Sequence, residues 1–140
     1  MKRIFFLAFA LIVVSLLVFG YFKAIPDSDD QNQPKIIITP DSFDFGEIEY
    51  GQVAKYTFKV KNMGKEALEI NKIATSCGCT TGKVSKEIVN PNEEVELLVK
   101  YDTGAMSGPH GKGKQERIIY VKSNDPSNPQ AEVMIHAYVK

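Results

Sequence analysis

The sequence predicts an all-β domain, an immunoglobulin-like antiparallel β-sandwich of about seven strands, behind an N-terminal transmembrane helix or signal segment. Three observations predict it. Apolar residues after position 35 alternate with polar ones instead of recurring every three or four positions. The alternating runs are short and separated by clusters of Gly, Pro, Asn and Asp. About seven such runs fall within roughly 105 residues, the spacing of a small two-sheet domain.

The first 34 residues have a different character. Lys2 and Arg3 precede an uncharged apolar run from Ile4 to Phe22, which Lys23 closes. As a helix this run would reach roughly 28 Å, close to the thickness of a hydrocarbon core. It is apolar on all sides, unlike a surface helix. A cleaved signal has a shorter apolar stretch and a small-x-small site; the passable site here is Val18-Phe19-Gly20. We therefore read residues 1–23 as a membrane anchor, with a cleaved signal and a secreted product as the alternative. No cysteine near the end of the run offers a lipoprotein anchor. The two basic residues favour a cytoplasmic N-terminus, which puts the remainder outside, periplasmic or at the cell surface. Residues 24–34 are acidic, polar and proline-bounded. They bury too little apolar surface to offset ordering entropy and read as a flexible linker.

The β domain is expected over residues 35–140. Ile36 to Thr39 is a β-branched run stopped by Pro40. Phe43, Phe45 and Ile48 surround Gly46, which predicts an edge strand with a bulge or bend. Tyr56, Phe58 and Val60 alternate with Lys55, Thr57, Lys59 and Lys61, the plainest half-buried strand; its lysines read as a solvated face guarding an edge. After a turn at Asn62-Met63-Gly64-Lys65 come Leu68, Ile70 and Ile73, with a phase slip at Asn71-Lys72. Pro91 to Glu94 turns into Val95, Leu97 and Val99. Arg117 to Val121 and Ala131 to Val139 are the last strands. In the final one Val133, Ile135, Ala137 and Val139 face one way, and Glu132, Met134, His136 and Tyr138 the other.

Seventeen basic residues balance seventeen acidic ones, so no basic stripe points to nucleic acid. Thr103 to Lys114 is glycine-rich, but it lacks the strand–loop–helix context of a phosphate loop and reads as a long hairpin or sheet-crossing loop. No serine–histidine–acid set can be assembled, and the chain is read as not an enzyme.

The two cysteines, Cys77 and Cys79, are where unusual chemistry could sit. Residues two apart on a strand share a face, with Cα atoms about 6.6 Å apart, whereas a disulfide prefers about 5.5–6 Å. Gly78 between them is expected to let the backbone bend and close that gap. A bridge over so short a loop restrains the unfolded chain by only about 1.6 kcal/mol, which makes it a poor staple. Three readings stay open. The pair packs inertly; it binds a soft metal such as copper(I), with Met63, Met106, Met134, His110 and His136 as further candidate ligands; or it exchanges disulfides outside the cytoplasm.

Four phrases in order resemble a known family: Phe43-Asp44-Phe45-Gly46 followed by Gly51; Lys61-Asn62-Met63-Gly64 before Leu68 and Ile70; Ser76-Cys77-Gly78-Cys79-Thr80; and Ser123-Asn124-Asp125-Pro126. Together they are similar to the bacterial family called domain of unknown function 1573, itself related to hydin-like and sperm-protein-like immunoglobulin folds. One departure is Pro91-Asn92-Glu93, where members often carry proline-glycine-glutamate. The resemblance implies a sandwich outside the cytoplasm and no established activity. By analogy with related folds it implies a binding or interaction module, with another protein as partner; the membrane is expected to be contacted through the apolar run Ile4 to Phe22.

Overall fold

The computed structural model describes residues 32–106 and 111–140. The predicted anchor and most of the linker lie outside the described residues, as does His110. Among the described residues no helix is long and apolar enough to cross a membrane.

Among the described residues nine strands follow in order: β1 Ile36–Thr39, β2 Ser42–Ile48, β3 Val53–Asn62, β4 Leu68–Thr75, β5 Thr80–Val84, β6 Ile88–Val89, β7 Glu94–Asp102, β8 Gly113–Ser123 and β9 Gln130–Val139. They form a four-stranded sheet, β1-β3-β7-β5, and a five-stranded sheet, β2-β9-β8-β4-β6. The all-β expectation and its strand positions hold, with two strands more than expected. β6 has only two residues, and β5 reads Thr-Thr-Gly-Lys-Val with glycine at its centre. Neither carries enough alternation to register as a strand. One pairing also departs from a purely antiparallel sandwich: β2 runs parallel to β9, matching Phe43 to Ile135 and Ile48 to Val139.

The core follows the alternation. Inward residues of β9 are buried at Val133, Ile135, Ala137 and Val139, while Glu132, Met134 and Tyr138 are exposed and His136 is half-buried. Phe58 and Val60 of β3 meet Leu97, Val99 and Tyr101 of β7 and Ile119 and Val121 of β8 in one cluster. Each fully buried side chain of this size contributes roughly 1.5–3 kcal/mol of transfer free energy. Phe43 of β2 stacks on Tyr56 of β3 at 3.6 Å between ring centroids, which joins the two sheets at that side.

Both predicted irregularities are present. The β4–β8 register shifts between Ile70 and Lys72, and that of β2–β9 shifts between Asp44 and Glu47, where Gly46 has φ +68°. β2 is an edge strand, as expected. β3 is not: β1 covers its Lys59–Asn62 half, so only the Val53–Phe58 half is unpaired on that side among the described strands. The edge-guarding reading of the lysines therefore fits Lys55 alone.

Two polar side chains hold the strand ends. Asn62, fully buried, continues the inward phase of Phe58 and Val60. Its Oδ1 accepts from the Lys35 and Gly64 amides, and its Nδ2 donates to the Glu66 and Val89 carbonyls. Asp125, 2% exposed, accepts from the Ile36 amide at 2.9 Å and from the Ser127 and Asn128 amides. Gly64 lies directly against the segment entering β1. A Cβ there would overlap the Gln33 carbonyl and sit 2.6 Å from the Lys35 nitrogen, so only glycine permits that approach.

Candidate functional site

The Cys-Gly-Cys segment is a turn that carries the chain from one sheet to the other. β4 of the five-stranded sheet ends at Thr75 and β5 of the four-stranded sheet begins at Thr80. The Thr80 amide donates to the Cys77 carbonyl at 3.4 Å and closes the turn. Both flanks are tied down. Ser76 exchanges two hydrogen bonds with Ile118 of β8, amide to carbonyl at 2.9 Å and hydroxyl from amide at 3.0 Å. The Cys79 carbonyl accepts from the Asp102 amide at 2.8 Å. The Thr75 hydroxyl lies 2.8 Å from the Cys77 carbonyl and 2.9 Å from the Thr80 carbonyl, within donating reach of either.

Cys77 and Cys79 are joined by a disulfide, with Cα atoms 5.3 Å apart. The turn, not an extended strand, brings the separation below the 6.6 Å expected of a strand. Gly78 does not supply this through a left-handed conformation, and a Cβ on it would meet nothing within 4 Å. Gly78→Ala is therefore expected to leave folding and bridge formation intact, with urea stability changed by less than about 0.5 kcal/mol. A larger loss in a denaturation series would show that the turn needs glycine.

The two sulfurs have different surroundings. Cys79 is 3% exposed, whereas Cys77 is only part-buried. Cys77, Met106, Gln115 and Arg117 line an open depression of about 570 Å³, together with Ser76, Lys112, Lys114 and Glu116. The Thr80 hydroxyl lies 3.4 Å from Cys77 Sγ and 3.7 Å from Cys79 Sγ. Arg117 comes from β8 and reaches across: its Nε donates to Cys79 Sγ at 3.2 Å. One terminal nitrogen donates to Met106 Sδ and to Gln115 Oε1, and the other donates to the Glu116 carbonyl. The guanidinium also stands over the Tyr101 ring, 5.7 Å from its centroid. Burial pushes the Tyr101 phenol above its ordinary pKa, and the Arg117 charge offsets part of that rise.

Of the candidate ligands among the described residues, Met106 alone is placed beside the pair. Met63 follows β3, and Met134 and His136 lie on the outer face of β9, where His136 Nδ1 is 3.5 Å from Glu116 Oε2. Among the described residues no group of three or more His, Cys, Asp or Glu is arranged to hold a metal ion. Next to the sulfurs the polar position is filled by a fixed cation, Arg117, which a metal ion would have to displace. Bridged sulfurs also lack the thiolate charge that a soft metal requires.

Arg117 was not singled out in the sequence, although a signal is there. It shares the inward phase of β8 with Gln115, Ile119 and Val121. A charged residue in an apolar phase marks a partner to be found.

The sequence matches, over residues 36–139, a family described as a protein of unknown function, DUF1573. The chain belongs to the DUF1573 family. A search of curated proteins finds no match. Among solved structures, this DUF1573 domain is similar to a protein of unknown function from Porphyromonas gingivalis W83, with TM-score 0.68 and 19% identity over 84% of this chain and 50% of that one. The chain thus spans half the length of that relative. It is also similar to a PapD-like domain of human CEP192, with TM-score 0.56 and 11% identity over 77% of this chain and 87% of that one. The YadV chaperone gives TM-score 0.55 and 12% identity over 75% of this chain and 52% of that one. These likenesses concern the fold.

Proposed function

We propose that this chain is an interaction module held outside the cytoplasm by its N-terminal segment, and that its contact chemistry is thiol–disulfide exchange through Cys77 and Cys79. The observation that carries the reading is the asymmetric bridge: Cys77 is part-buried and lines an open depression, and the Cys79 sulfur accepts from the Arg117 guanidinium at 3.2 Å. A guanidinium beside a sulfur stabilises the thiolate over the thiol and so favours the reduced pair.

The small loop supports the same reading. Closing it restricts the unfolded chain by only about 1.6 kcal/mol, against the roughly 5–15 kcal/mol expected of a domain this size. Opening the bridge leaves the two-sheet core in place, so the pair can cycle without unfolding the domain. Disulfides persist in oxidising compartments. That agrees with an export or anchor segment at Ile4 to Phe22, with Lys2 and Arg3 on the inner side.

Equilibration with glutathione redox buffers tests the proposal. The expected midpoint potential lies between about −120 and −270 mV, the range of exchange-active pairs. A value below about −300 mV would identify an inert structural bridge. The double variant Cys77→Ser, Cys79→Ser is expected to stay folded, with urea stability lowered by no more than about 2 kcal/mol.

A further inference from the structure

Resting on the exchange reading, we infer that Cys77 Sγ is the sulfur attacked, that Cys79 leaves as a thiolate held by Arg117, and that the reductant is a cysteine-bearing peptide segment with acidic neighbours. Three observations lead there. Cys77 is part-buried and lines the open depression, whereas Cys79 does not line it and is 3% exposed, so Cys77 is the cysteine of the pair that an incoming sulfur meets. Cys79 is almost fully buried, and Arg117 Nε–H already points at its sulfur from 3.2 Å. The cations at the rim are Lys112, Lys114 and Arg117, against the single carboxylate of Glu116.

The pre-placed cation matters because a leaving thiolate in a buried position has no water to stabilise it. A donor aimed where charge develops lowers the barrier without reorganisation at the moment of reaction. A lower leaving-group pKa also speeds exchange. Thr80, with its hydroxyl near both sulfurs, supplies a second donor to whichever becomes charged.

The step balances as follows. The peptide thiolate forms an S–S bond to Cys77 Sγ as the Cys77–Cys79 bond breaks, and the bonding pair passes to Cys79 Sγ. A second thiolate of the same peptide then attacks its own sulfur in the mixed disulfide and releases Cys77. The peptide dithiol has been oxidised to a disulfide and the domain pair reduced, Cys77 to a thiol and Cys79 to the thiolate held by Arg117. Of the two peptide thiol protons, one passes to Cys77 through solvent and the other stays in solvent.

The test uses the full chain, oxidised and purified in detergent. It is mixed with a dithiol peptide whose cysteines are flanked by glutamates, or with its lysine-flanked counterpart, quenched with acid, then unfolded and alkylated with N-ethylmaleimide for peptide mapping. The peptide is expected on Cys77 and the maleimide on Cys79. The glutamate peptide should react several-fold faster at low salt, with the difference shrinking as salt rises. Arg117→Gln should slow the reaction roughly 10- to 100-fold, the effect of one hydrogen bond to a charged group. It should also move the alkylation pH profile of reduced Cys79 upward, while Arg117→Lys retains most of the rate. A purely structural role for Arg117 would not move that profile. Peptide on Cys79, equal distribution, equal rates for the two peptides, or an unaltered rate in Arg117→Gln overturns the inference and leaves the exchange reading standing. No mixed disulfide at either cysteine, with no peptide oxidation, removes both.

Discussion

Replacing Asn62 with alanine is expected to destabilise the domain by about 3 kcal/mol, one of the largest single-residue effects outside the apolar core. Asn62 is fully buried and makes four hydrogen bonds, two accepted and two donated. Alanine leaves the Val89 carbonyl without that donor deep in the structure, and the Lys35 and Gly64 amides without their acceptor. Each stranded group costs about 1–3 kcal/mol unless water reaches it. Water can reach the Lys35 and Gly64 end, which keeps the sum near the lower bound. Asn62→Asp should be no better at neutral pH, because a carboxylate would face the Glu66 and Val89 carbonyls that the amide now bonds. Thermal unfolding followed by circular dichroism would show a drop of roughly 12–20 °C for a 3 kcal/mol loss. A drop under about 4 °C would mean that the four bonds add little to the native state.

Asp125→Ala is expected to cost a similar amount, about 3 kcal/mol, with a different footprint. Its carboxylate accepts from three amides, one of which belongs to β1, 89 residues away in sequence. Losing it frees Ile36, at the start of a strand that has only four paired residues. Hydrogen exchange should therefore quicken first at Ile36 and its β1 neighbours, well before β7 or β9 responds. Asp125→Asn should recover part of the loss. An amide oxygen can still accept from Ser127 and Asn128, but an amide nitrogen would then face the Ile36 N–H. Uniform acceleration across all strands would show instead that Asp125 acts on the fold as a whole.

These two residues show what was legible in the sequence and what was not. The strands that carry the core were legible because period-2 alternation is a direct consequence of burying one face of a sheet. Tyr56 to Val60 and Val133 to Val139 read off plainly. β5 and β6 were not legible, since neither is long enough to establish a phase. The parallel placement of β2 was also hidden, because alternation fixes which face is buried and not which strand lies alongside. Asn62 and Asp125 stood inside phrases recognised as a family pattern, but their work as strand clamps depends on partners 27 and 89 residues away. A polar residue in the buried phase was the available signal for Asn62, and a cation in the buried phase was the same signal for Arg117.

The cysteines were legible as a place and not as a geometry. Their spacing pointed to poor stapling, and the structure adds an asymmetry that spacing cannot contain. Cys77 and Cys79 differ because β8 delivers Arg117 to one of them alone, a contact 38 residues apart in sequence.

The pairing of β2 with β9 constrains how the chain can be made. Ser42 to Ile48 comes early, yet it is completed only by Met134 to Val139, with the Lys140 amide closing on the Ile48 carbonyl. A nascent chain that emerges N-terminus first cannot finish its five-stranded sheet until β9 has emerged. For that interval the phenylalanines of β2 lack the cover of β9, although Tyr56 of β3 is already made and available to Phe43. Folds dominated by such distant pairings reach the native state in milliseconds to seconds. Any stall in synthesis before β9 is available thus leaves β2 without its partner strand, an aggregation-prone edge.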